Sequence, residues 1–305
     1  MSERQGGIVR TESAGHEVPF QLDKLRETQQ LLLSEFIRIC GKLGLQYFAV
    51  QGTLLGAVRH GGSIPWDDDV DVGMLRKDYE VFLKEAPGML PEYYFLQTFH
   101  TDPEFYHCFA KLRDSRTTFI EKTAQKLRRM NQGIFIDIFP FDYYPENLLH
   151  AKWFDLKKFM LRYRLRSEFY IPQDNERSAA NALRKFLMCS AKILCPSERR
   201  ALNESEKLFV SVKPGRLLIN NGSPWGKREI VERSWMENTE PHKYEQLIIR
   251  IPKGYDNYLR HVYGDYMQLP PENERVPHHY AKVIDPLTPY TQWMSTLENE
   301  RQSQR

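Results

Sequence analysis

Three aspartates near residue 70 have the type and spacing of a metal site. Asp69 and Asp71 alternate with Val70 and Val72, a pattern that predicts a half-buried strand with both carboxylates on one face. Asp67 joins the same face if the chain is already extended there. Carboxylates on one face repel each other unless a cation lies between them, and Mg²⁺ or Mn²⁺ prefers such oxygen ligands. An acidic surface turn is the alternative, but the apolar alternation favours the metal site.

Asp137 is a third carboxylate, and it lies inside the apolar segment 134–139. An acid that is buried and unpaired in an apolar strand costs several kcal/mol, so the sequence requires a partner for it. The residues alone leave two explanations open. Asp137 is either a structural aspartate held by hydrogen bonds, or a third metal ligand that strand pairing brings beside Asp69 and Asp71.

The segment 51–53 has the features of a phosphate-binding junction. Gly52 follows a short apolar run and precedes a predicted helix, so that backbone N–H groups can approach a phosphate at the helix N-terminus. Gln51 precedes the glycine, and Thr53 adds a hydroxyl donor. Arg59, further along the helix, offers a guanidinium that matches phosphate oxygens. A simple turn glycine and an arginine at a helix C-terminus remain the alternatives.

The elements that must position these groups follow from hydrophobic periodicity. Apolar residues recur every three or four positions over 22–43, which predicts an amphipathic helix. Short runs of strand-forming residues bounded by glycine or proline predict strands. We predict further helices at 53–60, 76–85, 148–170, 177–194, 198–210 and 255–263, and strands at 45–50, 69–72, 94–99, 109–112, 134–139 and 247–251.

These patterns predict an α+β fold with a mixed β-sheet core flanked by helices and a mainly helical C-terminal subdomain. Helices and strands are mixed up to about residue 145, whereas longer helical segments dominate after it. The predicted organisation is a flexible tail at 1–19, a catalytic core at 20–145, a helical subdomain at 146–285 and a polar tail at 286–305.

Composition excludes several classes of protein. The chain has 305 residues, 41% of them hydrophobic, and its apolar runs are far shorter than the roughly 20 residues of a membrane-spanning helix. Four cysteines show no C-x-x-C pair, and residues 1–19 show no signal-peptide core, so we expect a cytoplasmic protein. The net charge of +3 favours no partner, but basic stretches at 111–129 and 152–192 flank the acidic cluster and suit phosphates.

The segment from Gln51 to Gly73 resembles the signature of the LicD family. Its members are phosphocholine-type transferases of the nucleotidyltransferase-fold superfamily, with fukutin-related proteins as distant relatives. Further segments resemble family motifs in the expected order: 111–118, 133–140, and 252–271 ending near His278. The resemblance covers most of the chain and implies a nucleotidyltransferase-like core.

The resemblance also implies roles for particular residues. Asp69, Asp71 and Asp137 would be the catalytic carboxylates that bind Mg²⁺, with Mn²⁺ as a substitute, and Asp67 would join the metal ligands. The substrate-binding residues would be Gln51, Gly52, Thr53, Arg59, Lys111 and His278. For Lys111 and His278, a solvated strand lysine and an incidental histidine are the alternatives.

The implied reaction moves phosphocholine, or a related phospho-alcohol, from a CDP-linked donor to a hydroxyl of a cell-surface glycan or its lipid-linked precursor, as in lipopolysaccharide or teichoic acid biosynthesis. CMP would be released. One alternative is a nucleotidyltransferase that uses a nucleoside triphosphate and releases pyrophosphate. Another is a non-catalytic nucleic-acid-binding protein, which we do not expect because a phosphate-binding surface gains nothing from clustered aspartates.

The basic, aromatic segment 152–170 has two interpretations. It is either a subdomain helix that packs its aromatic face inward, which we favour as the commoner case, or a helix in peripheral contact with the inner face of a membrane.

Overall fold

The computed structural model describes residues 22–121, 129–166, 186, 189–193, 195–223, 225–276 and 281–303. The main helices are α1 (Leu22–Leu43), α2 (Gln51–His60), α3 (Arg76–Glu85), α4 (Leu148–Arg166), α5 (Glu198–Val210), α6 (Arg233–Met236), α7 (Tyr255–Tyr263) and α8 (Tyr290–Ser303). The strands are β1 (Phe48–Ala49), β2 (Asp71–Leu75), β3 (Tyr94–Gln97), β4 (Ala110–Asp114), β5 (Thr118–Glu121), β6 (Ile134–Tyr143), β7 (Leu217–Asn220), β8 (Ile230–Glu232), β9 (Thr239–Tyr244), β10 (Leu247–Pro252) and β11 (Ala281–Asp285).

A mixed sheet forms the centre of the fold, with the strand order β1-β2-β6-β4-β3. The β2–β6 pair is parallel, whereas β1–β2, β4–β6 and β3–β4 are antiparallel. The second half of β6 also pairs with β7, which in turn pairs with β8. Two small antiparallel pairs, β9–β10 and β5–β11, lie outside this sheet.

The sequence of β6 explains its central position. Nine of its ten residues are buried, as expected for a strand covered on both faces. Gly73 in the neighbouring strand β2 allows close packing there, because a Cβ at this position would overlap the rings of Phe48 and Phe141.

Helix α1 covers one face of the sheet through its predicted apolar stripe. Leu25, Leu32, Phe36 and Ile39 are completely buried, at successive spacings of seven, four and three residues, which place side chains on one face of a helix. The Phe36 ring contacts the ring of Tyr47 edge-on, with 5.0 Å between centroids. The helix is therefore part of the main core.

The α+β fold class is confirmed, but the structure differs from the predicted organisation after residue 145. Strands β7 and β8 extend the core sheet, and the predicted tail at 286–305 contains α8, in which Met294 is buried. These strands are short and are defined by distant partners, so local periodicity does not reveal them. The predicted boundaries remain predictions, and most of the helix predicted at 177–194 lies outside the described residues.

Within the described ranges, no helix has the length and apolar character that a membrane crossing requires.

Candidate functional site

Strand pairing places Asp71, Asp137 and Lys111 next to one another in the middle of the sheet. Asp71 is the register partner of Asp137 in the β2–β6 pair, and Lys111 is its register partner in the β4–β6 pair. Opposed residues of neighbouring strands project to the same face, so the three side chains form a row. Nζ of Lys111 donates a hydrogen bond to Oδ1 of Asp137 at 2.7 Å.

The Lys111–Asp137 pair is buried among aromatic rings. Nζ of Lys111 lies 3.3 Å from the centroid of the Phe135 ring and 5.5 Å from that of Phe109, where the ring faces attract a cation. Removing one member of a buried pair leaves the other charge uncompensated. Lys111 is therefore the partner of the central carboxylate, not the solvated strand lysine that the sequence had left open.

The carboxylates around this row lie close enough to repel one another, and a bound cation would relieve that repulsion. Oδ1 of Asp71 is buried and accepts no hydrogen bond from the residues described. The pKa of Asp71 is raised well above its ordinary value, first by burial and then by the negative charges of Asp69, Asp137 and Asp67. Hard divalent cations bind clustered carboxylate oxygens, and here one of those oxygens is buried without a hydrogen bond. These residues therefore fit Mg²⁺.

The acidic loop, residues 64–70, holds a further aspartate that the sequence analysis left out. One carboxylate oxygen from each of Asp67, Asp68 and Asp69 lies within 4.8 Å of the others. Asp68 is nevertheless not among the residues that line the adjoining cleft, whereas Asp67, Asp69, Asp71 and Asp137 all line it. We therefore favour the predicted set as the ligands.

Helix α1 fixes the backbone of the acidic loop. Nη2 of Arg26 donates to the carbonyl oxygens of Ile64 at 2.8 Å and of Asp67 at 3.3 Å. Nε2 of Gln29 donates to the carbonyl oxygen of Asp68 at 2.8 Å. The loop that carries the acids is thus held by the same helix that packs on the sheet.

The junction between β1 and α2 is held by a buried hydrogen-bond chain. Gln51 has a φ of 48°, a left-handed conformation that few residues other than glycine adopt. Its backbone N–H donates to the hydroxyl of Tyr258 at 3.4 Å, and that hydroxyl donates to Oε2 of Glu229 at 3.2 Å. Two residues of the second half of the chain therefore support this junction.

Gly52 and Thr53 have different roles in the structure. A Cβ at Gly52 would overlap the Asp67 carboxylate, so the glycine allows the acid to lie against the helix start. Oγ1 of Thr53 accepts a hydrogen bond from the backbone N–H of Asp71 at 2.7 Å. Thr53 is buried and is not among the residues that line the cleft. The structure thus places the predicted substrate contact Thr53 behind Asp71, as a support for strand β2.

The structure describes one of the two remaining predicted substrate contacts, Arg59, but not the other, His278. Arg59 lines the cleft, and its Nη1 donates to the carbonyl oxygen of Tyr266 at 2.7 Å. Burial is the main cause that lowers the pKa of Arg59. His278 lies outside the described residues.

A cleft of about 1110 Å³ brings the predicted residues together. Eight of the ten predicted site residues line it: Gln51, Gly52, Arg59, Asp67, Asp69, Asp71, Lys111 and Asp137. Such a volume suits a ligand with several groups, because small-molecule sites commonly enclose about 300–1,000 Å³.

A second wall of the cleft comes largely from residues that were not predicted as site residues. It includes Arg162, Asn221, Trp225, Tyr263 and Asp265. Tyr263 and Asp265 belong to the 252–271 segment, so that motif was the available signal for them. The other three lie on α4 and after β7, and no local pattern marks them.

A buried polar network supports this second wall. Arg76 binds Asp142 through two hydrogen bonds of 2.7 and 2.8 Å. Nδ2 of Asn221 donates to Oδ2 of Asp142 at 3.3 Å, and Nζ of Lys158 donates to Oδ1 of Asn221 at 2.9 Å. Burial lowers the pKa of Lys158 to about 8. The network links α3, β6 and α4 to the loop that carries Asn221.

Known proteins resemble this chain in sequence. Residues 44–174 match the family described as LicD/FKTN/FKRP, nucleotidyltransferase domain. The chain is 27% identical over 269 residues to the lipopolysaccharide cholinephosphotransferase LicD of Haemophilus influenzae, covering 85% of this chain and 97% of that protein. It is 29% identical over 143 residues to the ribitol 5-phosphate transferase FKRP of Mus musculus, covering 45% of this chain and 24% of that protein.

The family match includes the segments that carry the site. Residues 44–174 contain the junction at Gln51, the acidic loop and the strands of Asp71, Lys111 and Asp137. The resemblance noted from the sequence is confirmed: the part of the chain that carries the site matches the LicD family model, and the similarity to the LicD protein extends over most of the chain.

Proposed function

We propose that the protein transfers phosphocholine, or a related phospho-alcohol, from a CDP-linked donor to a hydroxyl of a glycan, with release of CMP. The observation that carries the proposal is the row formed by Asp71, Asp137 and Lys111 beside the acidic loop, on the wall of one cleft. Clustered carboxylates with basic residues nearby suit a metal ion and a diphosphate together. The relatives named as cholinephosphotransferase and ribitol 5-phosphate transferase support the same class of reaction.

Asp67, Asp69, Asp71 and Asp137 are the residues that would hold Mg²⁺. When bound, the ion neutralises the diphosphate and the charge that develops on the leaving phosphate oxygen. The residues of the chain then position the reactants. The junction offers the backbone N–H of Gly52 to the donor, while that of Gln51 is held by Tyr258, and Arg59 and Lys111 add positive charge on the same cleft.

The transfer itself balances as a substitution at phosphorus. The acceptor hydroxyl oxygen forms a bond to the phosphorus that bears the alcohol, the bond from that phosphorus to the CMP oxygen breaks, and CMP leaves with the bonding electrons. We assign the hydroxyl proton to one of the cleft aspartates, within the general-base role that carboxylates commonly take. Catalysis is then mainly positioning and charge stabilisation.

The proposal is tested by incubating the protein with CDP-choline, CDP-ethanolamine or CDP-ribitol, Mg²⁺ and a panel of glycan acceptors, and measuring CMP. We expect Asp71→Asn and Asp137→Asn to release CMP at least about 100-fold more slowly than the wild type, because each removes charge stabilisation. Asp23→Asn changes an exposed aspartate of α1 and serves as the matched control. Undiminished CMP release in both site variants, or release of pyrophosphate from a triphosphate, would contradict the proposal.

Thermal unfolding provides a second measurement that does not depend on turnover. A cation that binds only the folded protein stabilises it by about 2.7 kcal/mol at 100 times its Kd. We expect Mg²⁺ to raise the Tm of the wild type and of Asp23→Asn. The increase should be lost in Asp71→Asn, since that variant lacks one of the clustered carboxylates.

A further inference from the structure

Helix α4 has an apolar face that the protein core does not cover. Its inward face is apolar as expected, with Phe154 and Leu161 buried. On the other side, large apolar residues are exposed: Leu148 (67%), Leu149 (76%), Trp153 (52%), Leu156 (62%) and Phe159 (43%). At about 100° per residue these five side chains share an arc of about 140°.

This finding corrects the interpretation favoured from sequence for the segment 152–170. An aromatic face packed inward was expected. Phe154 is buried as that interpretation requires, but Trp153 and Phe159 are exposed. A contiguous apolar patch of this kind marks an interaction site more often than a solvated surface. The helix is thus apolar on two opposite faces, and only one of them is covered by the described core.

The charges around the exposed face are predominantly positive. Lys152 is exposed within the arc. Lys157 lies at its edge, with Nζ 5.4 Å from the centroid of the Trp153 ring and 3.9 Å from Oε2 of Glu204. The acid at the other edge, Asp155, is paired with Lys227 at 3.2 Å. Basic residues beside exposed aromatic and leucine side chains are typical of helices that lie in the interface of an anionic membrane.

A neighbouring segment also exposes an apolar side chain. Ala191 and Cys195 line a small cavity of about 200 Å³ together with Met160 and Leu161 of α4. Ile193, between them in sequence, is 81% exposed. The chain that precedes α5 therefore packs beside α4 and carries an exposed apolar residue of its own.

We propose that the exposed face of α4 docks on the surface of an anionic phospholipid bilayer. The leucines and Trp153 would enter the interface between headgroups and acyl chains, and Lys152 and Lys157 would pair with lipid phosphates. The same helix contributes Arg162 and Leu165 to the cleft. Docking therefore brings the cleft close to the bilayer, which suits an acceptor carried on lipid; this last link rests on the proposed function.

Cosedimentation with vesicles tests the docking. The wild-type protein should bind vesicles of phosphatidylcholine and phosphatidylglycerol (3:1) more tightly than vesicles of phosphatidylcholine alone, and added salt should weaken that binding. Leu156→Asp should weaken binding to the anionic vesicles at least about tenfold, since it places a carboxylate in the apolar interface. Leu287→Asp, at a still more exposed leucine outside α4, should bind like the wild type.

Three outcomes would overturn the docking. The first is that the wild type does not bind anionic vesicles, and the second is that Leu156→Asp binds them equally well. The third is that vesicle binding is absent and the wild type self-associates in sedimentation velocity, whereas Leu156→Asp does not. The last outcome would assign the face to a second copy of the chain. Vesicle binding needs no donor or acceptor, so a failure of docking is distinguishable from a failure of the proposed function. Leu156→Asp should leave the rate of CMP release with a water-soluble acceptor unchanged.

Discussion

Glu229 is a buried acid that serves the site without lining the cleft. It is completely inaccessible to solvent, and burial raises its pKa to about 7, while hydrogen bonds from Ser223 and Tyr258 oppose this increase. Its carboxylate holds the Tyr258 hydroxyl that accepts the N–H of Gln51. The protonation of Glu229 is therefore coupled to the support of the junction at Gln51.

The raised pKa predicts how stability depends on pH. Glu229 binds its proton more tightly in the folded chain than in the unfolded chain, where its pKa is near the ordinary value of 4.5. Its contribution is therefore fully present below about pH 4.5 and is lost as pH rises to about 7, a change of about 3 kcal/mol. Glu229→Gln cannot ionise, so the Tm difference between this variant and the wild type should shift in favour of the variant across that interval.

The control for this measurement is Glu80→Gln, which changes an exposed glutamate of α3. Its difference from the wild type should stay nearly constant with pH. A Tm difference for Glu229→Gln that is equally flat between pH 4.5 and 7 would show that the carboxylate is not responsible.

Residue types and spacing predicted the acids of the site better than they predicted its supports. The alternation of Asp69 and Asp71 with valines is a local signal, and the isolated acid Asp137 in an apolar strand is another. Thr53 and Glu229 act through contacts with residues far away in the sequence. No local pattern distinguishes a threonine that bonds a strand from one that bonds a phosphate.

At the scale of elements, α2 and β2 are held together at the start of the site. The backbone N–H of Val50 donates to the carbonyl oxygen of Asp71, and Thr53 accepts from the N–H of the same aspartate. Gly52 completes the contact because the Asp67 carboxylate occupies the space of its missing side chain. The junction proposed to bind phosphate and the strand that carries the proposed metal ligand Asp71 are thus held by the same contacts.

Gly52→Ala tests this shared contact. The added methyl group should displace the Asp67 carboxylate, and a displacement of about 1 Å at a reacting site can reduce a rate about 100-fold. We expect CMP release to fall by about that factor, with only a small change in Tm. Gly41→Ala, in α1 with open space around the new methyl group, should retain activity and be more stable by about 0.5–1 kcal/mol. Similar activity in the two variants would contradict the role of Gly52.

The predictability of the elements depended on the range of their contacts. The helices α3, α5 and α7 have the bounds that periodicity predicted, because the apolar residues of an amphipathic helix lie close together in sequence, on consecutive turns. Strands β7, β8 and β11 were missed, since each is only three to five residues long. Their strand character comes from pairing with β6, β7 and β5, respectively.

At the scale of the whole molecule, the two halves of the chain share one core. Ile249, Ile251 and Tyr258 are buried in the same apolar cluster as Phe141 and the residues of α1. The end of β6 also pairs with β7. These contacts predict that the segment 20–145, which the sequence marks as a catalytic core, depends on the rest of the chain.

Expression of residues 20–145 alone tests this dependence. The fragment would expose the edge of β6 and the apolar surface that Ile249 and Tyr258 cover, and unpaired edges and exposed apolar surface promote aggregation. We expect an aggregated chain, or one without a cooperative thermal transition, in circular dichroism. The full chain under the same conditions should unfold cooperatively. A cooperative transition of the fragment near the Tm of the full chain would contradict the prediction.

The cleft has walls that are synthesised at different times. The four predicted metal ligands precede residue 140, whereas Tyr263 and Asp265, which also line the cleft, come more than a hundred residues later. Because a chain emerges from the ribosome N-terminus first, the carboxylates are exposed before the residues that enclose them. A nascent chain therefore has acids that can attract a cation long before it has a pocket that can select a donor.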